Sequence, residues 1–369
     1  MEQESRIGII IDEDFASKNV PPYPHPIFVS YESPLRIKSI ISFLTNQNIF
    51  TNERIIKLEP ITVEDSILNL AHTKYHIDTI RNFSNRGYGL LNDEIFITGD
   101  TFNLAKKAVG GAIQAITSVV KNDINQSIAL IRPPGHHALQ ESASGLCIFN
   151  NIANSILYLR KKLGYHKKIA IVDIDAHLGD GILQYFYDDP NVLYFSVHEY
   201  DFVEGDIGFI DELGEGEGIG KNINFPIPLN ISDVDFFEFM DLLEPILNEF
   251  NPELIIIAAG FDLYFADPIG NGLLTSITYY KFTEKLLKLA ENICEGRLAF
   301  ILEGGYSLIG LPQCIYAVIK ALLGEDYESP LFEQLDFPFE SNRESIYKIK
   351  NSLRNLLIEY WSSFGGKKL

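Results

Sequence analysis

Short runs of apolar residues recur along the chain at 127–131, 168–172, 192–197, 253–258 and 298–302, each bounded by polar or turn-forming residues. They are apolar nearly throughout instead of alternating with polar positions. That pattern suits a strand covered on both faces, as in a parallel sheet, better than a strand with one wet face. Between the runs lie longer segments, 149–163, 233–250, 277–293 and 311–323, whose apolar residues return at helical spacing. The alternation predicts βαβ units and an α/β fold: a single domain whose central, mostly parallel β-sheet is flanked by helices on both faces. A peripheral helix is predicted over roughly 343–361, and no repeat, low-complexity tract or linker divides the chain. The 369 residues therefore read as one domain, 1–369.

The residues that follow the runs carry the chemistry. Arg132-Pro-Pro-Gly-His136-His137 follows the first, Asp173-Ile-Asp175-Ala-His177-Leu-Gly-Asp180 the second, and His198 the third. Gly260-Phe-Asp262 follows the fourth and Glu303-Gly-Gly-Tyr306 the fifth. Ligands of open α/β sheets bind beyond the carboxyl ends of the strands, so these segments are predicted to meet at one edge and form a site.

In an extended segment Asp175 and His177 project to the same side, and Asp262 adds a carboxylate from another strand. Three protein ligands with an open position are the pattern of a catalytic zinc, and the oxygen-rich set also admits Fe(II), Co(II) or Mn(II). His136 and His137, held by a rigid turn, are candidates for proton transfer to and from a reacting water and leaving group. Asp173 and Asp180 are the carboxylates available to fix their tautomers. Tyr306, on a Gly-Gly turn, can present a phenol to a developing oxyanion.

Composition narrows the field. Lys and Arg number 30 against 50 Asp and Glu, a net charge of −20, which opposes nucleic-acid binding and is compatible with cationic substrates as well as with a role in solubility alone. The three cysteines, Cys147, Cys294 and Cys314, form neither a disulfide framework nor a CxxC site. No signal peptide and no membrane span are predicted, which makes a cytoplasmic location the expectation.

Taken together, RPPGHHA, SGLCIFNNIA, DIDAHLGDG, VLYFSVHEY, AAGFD with DPIG, and LEGGYSL resemble, in order, the motifs of the zinc-dependent histone deacetylase family. That family includes bacterial deacetylase-like proteins and acetylpolyamine amidohydrolases and belongs to the arginase-deacetylase superfamily. The resemblance covers about 6–323, including the early HPIFVSYESPLRIKSI with Pro34 and Arg36. It implies an amidohydrolase that removes an acetyl or short acyl group from acyl-lysine or an acetylated polyamine. Asp175, His177 and Asp262 would be the zinc ligands. His137, backed by Asp180, would be the general base and acid, His136, backed by Asp173, its electrostatic partner, and Tyr306 the group polarising the carbonyl. Structural K+ or Na+ would sit near Asp173, Asp175, His177 and Ser196, and a second near Phe186, Asp189 and Val192. Gly145, Leu146, Phe202 and Ile269 would line the substrate tunnel, while Asp93, Glu94 and Asp100 read as solvated.

The sequence departs from the family pattern at Leu146, commonly aromatic, at Leu178, commonly His or Gln, and in the loop 202–208, which lacks the usual Pro. A two-manganese ureohydrolase is the first alternative, because Asp175-Ala-His177 resembles its motif. Gly179 and Tyr264 stand where that family needs further carboxylates. A non-catalytic binder of acetylated peptides with the same fold is the second. The sequence leaves the acyl substrate, the physiological metal and any oligomer open.

Overall fold

Strands Gln126–Ala129, Ile169–Asp173, Leu254–Ala259 and Leu298–Leu302 are buried at every residue, which requires cover on both faces. The computed structural model describes residues 5–21, 31–331, 333 and 342–365. In chain order the strands are β1 (Ile7–Ile10), β2 (Ile55–Leu58), β3 (Tyr88–Leu90), β4 (Phe96–Thr98), β5 (Gln126–Ala129), β6 (Ile169–Asp173), β7 (Val192–Glu199), β8 (Asn222–Ile227), β9 (Leu254–Ala259) and β10 (Leu298–Leu302). Among the described residues, eight of them form one sheet in the order β2-β1-β5-β10-β9-β6-β7-β8. Every neighbouring pair in it is parallel. Strands β3 and β4 pair separately as an antiparallel hairpin. The α/β architecture expected from the alternation is the one found.

The order matters for the site. Strands β5, β10, β9, β6 and β7 are consecutive neighbours running the same way, so the polar segments that leave them emerge side by side. In register, Asp173 faces Ala258 on one side and Ser196 on the other, and Leu302 faces Ala259.

Helices Asn151–Leu163, Ser276–Cys294, Gly310–Leu322 and Arg343–Leu357 lie close to the segments read from periodicity. The 233–250 segment is instead broken into Asp233–Phe236, a 3-10 turn Phe237–Phe239 and Met240–Phe250, with Pro245 inside the last. The 20-residue helix Thr101–Val120 is missing from the sequence reading because its buried residues run nearly all round it. It packs on β5 and β1. Gly111 makes that approach feasible, since a Cβ there would lie 2.7 Å from Ile131, while Gly110 makes room for the loop after β2, where a Cβ would lie 1.7 Å from the Ile61 carbonyl oxygen. Strands β1, β2 and β8 also escaped the reading, the last because Asn and Pro interrupt it. Pro226 is tolerated there because β8 is an edge strand.

One buried ion pair ties the start of the chain to the sheet. Arg132, at the mouth of β5, donates from Nε and Nη2 to both oxygens of Glu32 at 2.6 and 2.8 Å, and from Nη1 to the Lys18 carbonyl at 2.7 Å. Arg132 is wholly buried and Glu32 nearly so. Removing one partner leaves a charge without compensation in the core. Glu32→Ala is expected to lower the unfolding free energy by about 3 kcal/mol in chemical denaturation, and an unchanged midpoint would contradict this.

Candidate active site and metal centre

The ends of β6 and β9 bring together Asp175, His177 and Asp262, whose ligand atoms lie within 4.8 Å of one another. His177 Nδ1 is 3.1 Å from Asp175 Oδ1 and 3.3 Å from Asp262 Oδ2. Both carboxylates are buried and aimed by backbone amides. Gly304 N–H donates to Asp175 Oδ2 at 2.8 Å, and Ala176 N–H donates to Asp262 Oδ1 at 2.8 Å. Glycine is required around them: a Cβ on Gly304 would fall 2.3 Å from Asp262 Oδ2, and one on Gly260 2.2 Å from Asp175 Oδ2.

The electrostatics are those of a cation site. Burial, and then the Asp175 charge, push the Asp262 carboxyl up to about 7. Burial works against charge on His177, yet Asp175 and Asp262 pull it up to about 11. Asp262 Oδ2 is buried without a hydrogen-bond partner. An orphaned carboxylate oxygen beside a second carboxylate and an imidazole is a donor set that fits a divalent ion. Among the described residues one other such cluster exists, His136, Cys147 and Glu303, and all three of its members are buried.

His136 and His137 leave β5 on the Pro-Pro-Gly turn, with ring centroids 4.0 Å apart. His137 Nδ1 lies 2.7 Å from Asp180 Oδ1, and His136 Nδ1 lies 3.3 Å from Asp173 Oδ2. The two rings are pushed in opposite directions. Burial opposes charge on His136, but Asp175 and Asp173 raise it to about 10. Burial, and then His136, hold His137 below the ordinary 6.5 against the pull of Asp180. A charged and a neutral imidazole side by side are suited to different tasks.

Tyr306 follows Gly305, whose φ of +103° places it in the left-handed region. Burial holds the phenol's pKa well above its ordinary value, so it keeps its proton. Arg36 sits 4.6 Å from the ring centroid and donates from Nε to the Gly305 carbonyl at 2.7 Å and from Nη2 to the Glu303 carbonyl at 2.6 Å.

His136, His137, Asp175, His177 and Tyr306 open onto a cavity of about 570 Å3, whose lining also includes Tyr31, Asp93, Glu94, Gly145, Leu146 and Ile269. The main chains at Gly145 and Leu146 have φ of +50° and +65°, and Leu146 is a non-glycine residue in a region that costs a side chain energy. A Cβ on Gly145 would lie 2.2 Å from His137 Cδ2, so the glycine is the floor on which that ring rests.

Not every expected residue is at the cavity. Phe202 is not among its lining residues; it stands half-exposed on the 201–208 loop, edge-on to Tyr200 at a centroid distance of 5.1 Å. Asp93 and Glu94 are exposed, as expected, and also stand at the lining of the cavity, where Glu94 accepts from Gly145 N–H at 3.0 Å. Asp100 stands at the start of the Thr101–Val120 helix, exposed. Ser196 is buried with its Oγ 2.8 Å from His198 Nδ1. Asp189 is ion-paired with Arg160 and closes a turn whose backbone links Phe186, Asp189 and Val192. The early HPIFV, 25–29, lies outside the described residues.

Two supporting residues were not assigned a role from sequence. Glu303 Oε2 accepts from Gly135 and His136 N–H at 2.6 and 3.0 Å, fixing the histidine turn to the end of β10. Tyr194 donates its hydroxyl to Asp173 Oδ2 at 2.9 Å and accepts from Gly179 N–H at 3.0 Å. A lone Glu beside Gly-Gly and a Tyr inside a strand carry no periodic signal, and only the register between strands reveals them.

Comparison with known proteins settles the family. Residues 30–322 match the histone deacetylase domain model. The chain belongs to the histone deacetylase family. A probable deacetylase of Archaeoglobus fulgidus is 33% identical over 97% of this chain and 99% of its own. Histone deacetylase 5 of Arabidopsis thaliana is 34% identical over 98% of this chain, and the polyamine deacetylase HDAC10 of Danio rerio 34% identical over 82%. This chain covers 54% and 45% of those two relatives, about half their length. Among solved structures, the HDA15 HD domain superposes with a TM-score of 0.83 at 29% identity, covering 98% of this chain and 96% of that one. Family membership supports a hydrolase of the deacetylase type. No helix among the described residues is long and apolar enough to cross a membrane.

Gly145→Ala combines a side chain at positive φ with a collision against His137. Deacetylase turnover is expected to fall about a hundredfold while the melting temperature stays within a few degrees. Undiminished turnover would show that the His137 ring does not depend on this floor.

Proposed function

We propose that the protein is a zinc-dependent amidohydrolase that removes an acetyl or short acyl group from the amine nitrogen of acyl-lysine or of an acetylated polyamine. The observation that carries the reading is the joint placement of a carboxylate-rich ligand group, two adjacent histidines each beside an aspartate, and the Tyr306 phenol at one cavity.

Asp175, His177 and Asp262 would hold the ion, for which Fe(II) or Co(II) are the alternatives. When bound, zinc supplies Lewis acidity toward the substrate carbonyl and makes water easier to deprotonate. His137 takes a proton from the attacking water at Nε2, because its Nδ1 side is occupied by Asp180, and returns it to the leaving amine. His136, charged and backed by Asp173, offsets negative charge that develops beside it. Tyr306 donates its O–H to the carbonyl oxygen as it becomes an oxyanion. Structural K+ or Na+ near Ser196 and near the 186–192 turn belongs to the same reading, as does a cytoplasmic location.

Asp93 and Glu94 at the cavity favour substrates carrying a second positive charge. The ureohydrolase alternative loses ground at Tyr264, which is buried and donates to Glu333 at 3.0 Å where a further metal-binding carboxylate would be needed.

The direct test is turnover of acetyl-lysine peptides, acetylputrescine, acetylspermidine and longer acyl-lysines by the purified protein. Hydrolysis of at least one class is expected, and Tyr306→Phe should lower kcat on it by about a hundredfold or more without loss of metal. Hydrolysis of none, with metal bound, would favour a non-catalytic acetyl binder. The pH profile gives a second check. The proton-accepting neutral form of His137 persists to lower pH than free imidazole, because its pKa is held below 6.5. The acid limb of kcat/KM is therefore expected below pH 6.5, and a limb at higher pH would contradict His137 as the base.

A further inference from the structure

Asp267 lies on the loop that leaves β9, beyond Asp262, and each of its carboxylate oxygens serves a different loop. Oδ1 accepts from Ile269 and Gly270 N–H at 3.0 and 3.4 Å. Oδ2 accepts from Tyr306 and Ser307 N–H at 2.6 and 2.9 Å. The first pair is the ordinary behaviour of an Asp that closes its own turn. The second pair is not, since those amides belong to residues 39 and 40 positions further along the chain.

The two loops are the ones whose relative position matters. Ile269 lines the cavity, and a Cβ on Gly270 would lie 2.1 Å from the Asp262 carbonyl oxygen, so this rim segment rests on the backbone of a candidate ligand. Tyr306 follows two glycines, which leave the turn before it soft unless something outside holds it. Arg36 holds the carbonyls of that turn, and Asp267 holds the amides that follow it.

We propose that Asp267 is a positioning residue that locks the Tyr306 loop to the cavity rim at Ile269, so that phenol and rim keep one relative placement. This rests on the reading of Tyr306 as donor to the carbonyl oxygen. Four N–H donors converge on this carboxylate, so an amide in its place turns an NH2 toward two of them whichever way it is rotated.

The test is Asp267→Asn in the zinc-loaded full chain, with 3-fluorotyrosine placed at position 306 alone and observed by fluorine NMR. The parent is expected to give one resonance and the variant a displaced or split one. In the unlabelled enzyme, kcat on an acetylated substrate should fall at least about tenfold, with KM and metal content little changed. Placed in a Tyr306→Phe background, the same substitution should add less than about a twofold further loss, because the group it positions is gone. An unchanged fluorine resonance would overturn the proposal. So would an equal fold-loss in both backgrounds. If Asp267→Asn does not fold, Asp267→Glu, which keeps the charge but displaces it by a methylene, carries the same comparison. Should the resonance move while Tyr306→Phe remains fully active, the role of the phenol falls and the positioning by Asp267 stands.

Discussion

Buried negative charge at the carboxyl ends of adjacent parallel strands is the constraint around which this protein is arranged. Asp173, Asp175, Asp262 and Glu303 are all essentially inaccessible to solvent and leave β6, β9 and β10, which are neighbours in the sheet. Carboxylates gathered this closely cannot all stay ionised in a low-dielectric interior without donors or cations. The structure answers with backbone amides from Gly135, His136, Asp175, Ala176, His177 and Gly304, with the Tyr194 hydroxyl, and with two histidines pulled toward their charged forms. The amides leave two of these oxygens unpartnered, Glu303 Oε1 and the Asp262 Oδ2 that faces His177, and at the latter a divalent ion would complete the balance.

The rest of the site follows from the cost of that arrangement. Glycines at 260 and 304 exist because the carboxylates need the volume a Cβ would occupy, and glycine at 145 exists because His137 does. Arg36, Glu303 and Asp267 anchor turns whose glycines would otherwise leave them loose. The opposite pKa shifts of His136 and His137 come from one asymmetry: His136 faces several carboxylates, whereas His137 is held down by burial and by His136 itself.

Much of this was legible in the amino-acid order, and the reasons are specific. Strands buried on both faces leave apolar runs that cannot be missed, and in a parallel sheet the chemistry must follow each run, so Asp175, His177, His136, His137, Asp262 and Tyr306 could be named together. Edge strands β2 and β8 do not leave such runs, and the Thr101–Val120 helix hides its period by being buried nearly all round. Groups that act across loops were the least readable. Asp267 and Tyr194 reach backbone or side-chain partners far along the chain, and Asp93 and Glu94 reach the cavity only because the segment carrying them folds over Gly145. Phe202 shows the converse, a motif position whose side chain joins Tyr200 and Phe209 instead of the cavity lining.

The central claim is that one divalent ion, held by Asp175, His177 and Asp262, is what the buried carboxylates require and what hydrolysis depends on. Its most direct test is titration of zinc into metal-stripped protein while bound metal and hydrolysis of an acetylated amine are followed together. The account predicts no hydrolysis without metal and a linear rise that levels off at about one ion per chain, lost when Asp262 is replaced by Ala. Full hydrolysis by the stripped protein, or activity that appears only with a second ion, would contradict it.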